Sequence, residues 1–438
     1  MSACVALTVA LVAAVNLAIP ALRSSSLHPG PTQLLWIVDA YVLVFACLLI
    51  PAGALGDRYG RKGALLVGLA VLAAGGLVSA VAPGVGILLA GRVLTGIGAA
   101  LVMPATLSLA VAAYPPTERG RVIATWTAAT GVGGMLGNLF GGLIVQWSSW
   151  RGLFGTVVPL AAILLVLVAR AAPRVPRHAA PLDPVGSGLL TAAMVALLYG
   201  IIEGPVAGWS APEVLGAFGL AVVVFAGFVG YQLRAAHPLL DPRVFAAAGL
   251  RSGTLGVGLG FFALFAMFYV NAQYLQTSLG FSAGLTGLAI LPMPAAMFVV
   301  SRRSVRLAAR FGARRVVGVG LGALVVGLGA LSTADAGTPY PLYLVFLLVM
   351  AVGMGLAMPA LSGGIIGALP PGRAGMGSGL NGAARELGSA LGVATIGTVL
   401  NAPGADFTHA TATGYRIVAV VLALGAVPVL LWFRRTGT

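Results

Sequence analysis

Four places in this 438-residue chain put charged side chains where chemistry could be done, although it holds only ten acids in all. Asp39, Arg92 and the adjacent pair Arg385-Glu386 fall inside long apolar stretches. Asp57, Arg58, Arg61 and Lys62 crowd a turn bounded by Gly53 and Gly60. A carboxylate withdrawn from bulk water can load and release a proton, whereas an arginine stays charged and acts on its neighbours through its field. Burying either costs about 2.5–3.5 kcal/mol on insertion scales, so neither stands there for nothing. Other chemistries are missing. Lys62 is the single lysine; it follows Arg61 and precedes Gly63, so no Gly-Lys-Ser/Thr loop can cradle nucleotide phosphates. Cys4 and Cys47 sit in apolar stretches, and His28, His178, His237 and His409 fall in expected loops without an H-x-x-x-H spacing. No disulfide framework, zinc set or other cofactor is readable, and an enzyme is not expected.

The elements that must hold these charges are membrane helices. The chain is 59% apolar and 8% charged, with a mean hydropathy of +1.03. Soluble domains carry about a quarter charged residues, and the glycines follow no collagen period. Fourteen stretches suit a bilayer crossing of about 20 residues: 3–22, 34–55, 63–82, 86–113, 121–146, 151–170, 186–204, 214–233, 252–275, 284–301, 315–333, 341–363, 378–400 and 413–433. The expected class is an all-α polytopic membrane protein with fourteen transmembrane helices and no soluble domain. The net charge of +15 could suggest nucleic acid, but its placement speaks for a bilayer. The loops 56–62, 114–120, 171–185, 234–251, 302–314 and 364–377, with the tail and the adjoining span ends, carry 20 arginines or lysines. The opposite side carries Arg23 and Arg151. This bias puts both termini in the cytoplasm of a cell inner (plasma) membrane and excludes nucleic acid as a partner. The first stretch lacks a basic n-region and reads as span 1, not a signal peptide; its start near Met1 suggests a short or truncated N-terminus.

The chain also repeats itself. Gly98-Ala-Ala-Leu-Val-Met103-Pro104-Ala105 matches Gly353-Met-Gly-Leu-Ala-Met358-Pro359-Ala360 at an offset of 255. Pro115-Pro116 matches Pro370-Pro371, and Gly120, Gly133 and Gly137 match Gly375, Gly388 and Gly392, at the same offset. Leu55-Gly-Asp-Arg58-Tyr-Gly60 pairs with Leu307-Ala-Ala-Arg310-Phe-Gly312 at 252. Two six-span bundles follow, 1–170 and 251–438, with linkers and two inserted helices over 171–250. Such parallel repeats are a secondary-transporter design. Glycines, prolines and the Arg58/Arg310 pair recur, as scaffold should. The embedded charges do not: Asp39 lies opposite Leu291, Arg92 opposite Leu347, and Arg385-Glu386 opposite Thr130-Gly131.

These residues resemble the major facilitator superfamily, and within it the fourteen-span drug:proton antiporters. Gly53-Ala-Leu55-Gly-Asp57-Arg58-Tyr-Gly60-Arg61-Lys62 resembles the family's loop 2–3 signature, and Arg92-Val-Leu-Thr-Gly96-Ile-Gly98 its span 4 signature. Gly133-x-x-x-Gly137-Asn138-x-x-Gly141-Gly142 is similar to the span 5 antiporter signature. Leu34-Leu-Trp36-Ile-Val-Asp39-Ala-Tyr41 resembles the span 2 opening, and Asn381-x-x-x-Arg385-Glu386-Leu387-Gly388 the span 13 signature. Three positions depart. Leu11 stands where the family usually has an acid, nine residues before Pro20; Asn138 replaces the span 5 proline; Met297 stands where exporters of dications can have an acid. The resemblance implies the major facilitator fold, two six-helix bundles plus two inserted helices.

Each feature has a functional and a plainer reading. Asp57 with its basic neighbours is a charge latch between conformations, or a solvated acid in a basic loop; the glycine-fixed turn favours the latch. Asp39 is a proton carrier, or an interfacial acid still touching water beside Trp36 and Tyr41. Arg92 holds a carboxylate ionised or receives an anion, or it snorkels to headgroups. Glu386 is the other candidate carrier, or it and Arg385 snorkel at a helix end. Gly133, Gly137 and Gly141 form a small-residue row for close helix approach, with Asn138 placed to bond across it. Phe261, Phe265, Phe268 and Tyr269 form a stripe that could stack a flat ligand or face lipid, followed by Asn271, Gln273 and Tyr274. Asn271 and Gln273 call for protein or a cavity. Asn16, Tyr41, Phe265, Tyr269, Asn271, Gln273 and Arg385 are the pocket candidates. Six arginines from Arg302 to Arg315 fit topology and anionic headgroups.

The expected activity is export of a lipophilic or amphipathic small molecule, as in drug or antibiotic efflux, in exchange for incoming protons. The partners are that substrate, protons and the bilayer, and the chain is expected to act as a monomer with the proton gradient in place of a cofactor. A nutrient symporter or facilitator on the same fold and a non-transporting sensor are the alternatives.

Overall fold

The computed structural model describes residues 1–115, 118–173, 183–369, 374–400, 402 and 406–433. Pro116, Pro370 and Pro371 of the matched proline pairs, and Arg174, Arg177, His178, Arg373, Arg434 and Arg435, lie outside the described residues.

Every expected span is helical, and no strand occurs among the described residues. In chain order the helices are α1 (Ser2–Arg23), α2 (Pro31–Tyr59), α3 (Arg61–Ala80), α4 (Val85–Ala112), α5 (Arg119–Trp147), α6 (Trp150–Ala171), α7 (Pro184–Ala207) and α8 (Pro212–Gln232). They continue as α9 (Ala248–Gln273), α10 (Ala283–Ile290), α11 (Pro292–Phe311), α12 (Ala313–Leu331), α13 (Tyr340–Gly367), α14 (Ala374–Leu400) and α15 (Phe407–Phe433). Twelve helical segments among the described residues are long and apolar enough to cross a membrane. Internal backbone pairing is the only economical state for chain in hydrocarbon, so long apolar runs become helices. Two expected spans are more elaborate than a single rod. The span at 284–301 begins in α10, breaks at Leu291 and resumes as α11, because Pro292 and Pro294 supply no backbone N–H. The ninth span runs from α9 into a π turn at Tyr274–Ser278.

The chain gathers into two compact units. One comprises Met1–Val195, Ala221–Leu240 and Ala283–Ile290; the other comprises Ala196–Leu220, Asp241–Ser282 and Leu291–Thr438. Inside each, the same close approaches recur at the offsets read from the sequence. A Cβ on Gly98 would stand 2.7 Å from the Leu72 nitrogen and 2.8 Å from the Gly68 oxygen. One on Gly353 would stand 2.9 Å from the Leu324 nitrogen and 2.7 Å from the Gly320 oxygen. The same holds between α5 and α1, where Gly133 and Gly137 meet the carbonyls of Ala6 and Ala10, and between α14 and α9, where Gly388 and Gly392 meet those of Gly258 and Phe262. The offset is 252 on α1 and α3 and 255 on α4 and α5, so the repeat is one of packing as well as of letters.

Candidate functional site

In the first unit, close packing of α2 on α4 sets the site. A Cβ on Gly96 would lie 2.8 Å from the Tyr41 carbonyl oxygen, so only glycine lets the helices meet there. One turn earlier, the Arg92 side chain leaves α4 and lies against α2. Its Nε donates to the Ile37 carbonyl at 2.7 Å and Nη2 to the Val38 carbonyl at 3.2 Å. The guanidinium carbon stands 4.8 Å from the Tyr41 ring centroid and 5.8 Å from that of Phe154. Arg92 is 1% exposed, which removes the snorkelling alternative, and its Nη1 is buried without a hydrogen-bond partner. Asp39, one and two residues past those carbonyls, is half-buried. Among the described residues Asp39 and Arg92 form no ion pair within 4.0 Å. Tyr41 is fully buried and donates to the Thr8 carbonyl of α1 at 3.2 Å. Leu11 is buried in the same core, and Asn16 is on an exposed face with its amide turned back to the Val12 carbonyl.

In the second unit, the glycine contacts of α14 on α9 bring Arg385 over the Phe261 ring at 4.6 Å. Phe261, Phe265 and Phe268 form a continuous row, with centroids 6.2 and 5.9 Å apart, so one end of the stripe meets a cation. Glu386 is 8% exposed, too deep for a snorkelling helix-end residue, and forms no hydrogen bond or ion pair among the described residues. Asn271 is fully buried and accepts from the Tyr343 hydroxyl at 2.9 Å, while Tyr343 stacks on Tyr274 at 4.5 Å. Gln273 is exposed and bonds the Tyr269 carbonyl at 2.8 Å; Tyr269 is half-buried. Of the two amides for which protein or a cavity was expected, only Asn271 is enclosed by its unit.

The glycine-flanked turn follows one pattern in both units. Gly60 has φ 112° and Gly312 φ 87°, a backbone region that favours glycine. Arg61 Nε donates to Asp57 Oδ1 at 2.8 Å across the turn, and Arg61 Nη1 reaches the Ser108 carbonyl of α4 at 3.4 Å. Arg58 is exposed, with its guanidinium 5.8 Å from the Tyr59 ring; its counterpart Arg310 stands 5.2 Å from Phe311. Lys62 does something its place in the charged loop did not reveal. Its Nζ donates to the carbonyls of Ala169 and Ala172 at 2.9 and 2.7 Å, capping the end of α6. Arg314, at the 252 offset, bonds the Leu430 carbonyl of α15 at 3.1 Å. Gly53 packs on Pro104, and Gly141 and Gly142 are buried. Asn138 makes no side-chain hydrogen bond among the described residues, but a Cβ on Gly287 of α10 would lie 3.0 Å from its carbonyl oxygen. The α5 row therefore serves close approach to α1 on one face and to α10 on another.

Residues 1–393 and 253–438 match the family model of the Major Facilitator Superfamily. The chain belongs to that superfamily. Among its relatives, the multidrug resistance protein Stp of Mycobacterium tuberculosis is 33% identical, covering 89% of this chain and 72% of Stp. The methylenomycin A resistance protein of Streptomyces coelicolor is 34% identical over 91% and 84%, and the multidrug efflux pump LfrA of Mycolicibacterium smegmatis 32% over 87% and 76%. Of solved structures, a POT family transporter in complex with 5-aminolevulinic acid superposes with TM-score 0.74 at 12% identity, covering 100% and 96% of the two chains. The xylose transporter XylE from E. coli gives 0.66 at 14%, over 97% and 94%. At such identities these structures show the fold of the superfamily alone. A major facilitator chain is a multi-pass membrane transporter, and the two arginine sites are the features of this one that its scaffold does not require twice.

Proposed function

We propose that this chain is a fourteen-span proton-coupled antiporter that exports lipophilic or amphipathic small molecules by alternating access. The observation that carries the coupling is Arg92, sealed in the first unit beside Asp39 with one guanidinium nitrogen unengaged. An arginine cannot itself carry the proton. Its fixed charge attracts an ionised Asp39 more than a protonated one, so proton loading changes the field that the α2–α4 contact experiences. Glu386, buried in the second unit without an ion pair among the described residues, is a further carrier that compensates for Leu11. Efflux as the direction is supported by the relatives named for multidrug resistance and antibiotic export. The Asp57–Arg61 pair closes the turn in this conformation and opens in the other, an exchange that a few kcal/mol suffices to bias. Both termini face the cytoplasm of the inner membrane, and the chain acts as a monomer.

The test is proton release from energised everted vesicles on addition of cationic, neutral and anionic drugs. Luminal alkalinisation by at least one class, absent in an Asp39→Asn/Glu386→Gln variant expressed to the same level, is the expected result. Substrate leaving the lumen together with protons would make the chain an importer. Flux that survives in the double variant would remove both carboxylates as carriers.

A further inference from the structure

Arg385 has donors that no described residue accepts. Among the described residues its side chain makes no hydrogen bond, its Nε is buried without a partner, and no carboxylate lies within 4.0 Å of it. Glu386 is the next residue and so projects about 100° away around α14. One turn before Arg385, on the same face, Asn381 accepts from the Ser362 hydroxyl of α13 at 2.9 Å. That bond fixes the amide with its oxygen toward α13, leaving Nδ2 as a second donor with no hydrogen bond among the described residues. Residues four apart on a helix have Cβ atoms about 6 Å apart, a span that one carboxylate or phenolate with its ring can bridge. The Phe261 ring lies under the guanidinium at 4.6 Å, and Phe265 extends that surface. Arg385, Asn381, Ser362 and Phe261 are all only partly buried.

The first unit shows what this place looks like when filled. At the 255 offset, Trp126 stands where Asn381 does, and its indole N–H bonds Thr106 of α4 at 3.1 Å. The interhelical bond is kept in both units; the indole ring is kept only in the first. Two donors, a full positive charge and a flat apolar floor call for a flat acceptor carrying negative charge. We propose that Arg385, Asn381 and Phe261 form a subsite for the oxyanion of a flat aromatic ligand, a carboxylate or phenolate. The subsite rests on the transport reading in treating that ligand as cargo, and it narrows the cargo to aromatic acids.

The purified full-length chain in detergent is titrated with fluorescent 9-anthracenecarboxylate, with 9-anthracenemethanol as the neutral ring and 9-anthracenemethylammonium as the cation. The carboxylate is expected to bind about tenfold tighter than the alcohol, a preference that Arg385→Gln abolishes and Asn381→Leu cuts about threefold. Arg385→Lys retains part of it, which guards against a folding artefact in the glutamine variant, and Phe261→Leu weakens all three probes alike. Equal binding of the three probes, or an intact carboxylate preference in Arg385→Gln, overturns the subsite. So does displacement of the probe by phosphatidylglycerol as effective as that by unlabelled 1-naphthoate, since the occupant would then be a lipid headgroup. The vesicle assay separates the two readings. If a cationic drug still drives proton release while the carboxylate does not bind, the subsite falls and antiport stands; if neither occurs, both fall.

Discussion

Arg92 in the first unit and Arg385 in the second both lie over an aromatic ring, yet one is engaged and the other is not. Arg92 gives two of its nitrogens to carbonyls of α2 and is wholly enclosed. Arg385 gives none and stays half-open. Scaffolds that repeat the same glycine contacts have thus been fitted with one arginine that ties helices and one that waits for a ligand. The type and depth of a membrane charge do not separate these roles; its hydrogen-bond partners do.

The strongest way to break the comparison is to break the scaffold that makes it meaningful. Gly137→Val would drive a side chain into the Ala10 carbonyl, and Gly388→Val into that of Gly258. Each is expected to cost more than about 3 kcal/mol and to abolish the monodisperse peak in detergent chromatography. If one unit tolerates the change, the shared packing is not what holds them. Next come the arginines themselves. Arg92→Met removes two charge-assisted bonds and should lower stability by about 3 kcal/mol, whereas Arg385→Met removes an unpartnered buried nitrogen and should leave the unfolding midpoint unchanged or raised. Equal losses would refute the distinction. A milder cut exchanges the residues beside them. Trp126→Asn leaves a gap worth about 2 kcal/mol, while Asn381→Trp should keep stability and lose binding of 9-anthracenecarboxylate. The smallest effect is expected at the capping pair. Lys62→Met should cost about 1 kcal/mol by freeing the end of α6, and Arg314→Met less, because it makes one such bond where Lys62 makes two.

Much of this was legible in the letters. Hydropathy placed the long helices, because apolar length leaves the backbone no alternative, and the recurring glycines marked the contacts at which α3 meets α4 and α12 meets α13. The partners of the embedded charges were another matter. That Arg92 finds carbonyls and not headgroups depends on the crossing of α2 and α4, and that Arg385 meets Phe261 depends on which face of α9 turns to α14. Neither is a property of one helix. Lys62 was hidden for the same reason: its partners lie more than a hundred residues away on α6. The break at Leu291 had a visible signal in Pro292 and Pro294, but apolar continuity over the span outweighed it. Asn138 misled in the other direction, since a polar side chain in a glycine row suggests a bond that is absent among the described residues.

The two offsets, 252 and 255, have a consequence for how such a chain can change length. The three extra residues of the second copy fall between α12 and α13, in 332–339, where the first copy has only the short link 81–84. One residue added inside either helix would turn all that follows by about 100° and carry Gly353 off Gly320. Divergence between the copies is channelled: side chains differ on the helices, lengths differ in the loops, and helical phase is kept at the matched glycine contacts. The longer loop has work of its own, for the Tyr274 hydroxyl donates to the Asp335 carbonyl at 2.7 Å.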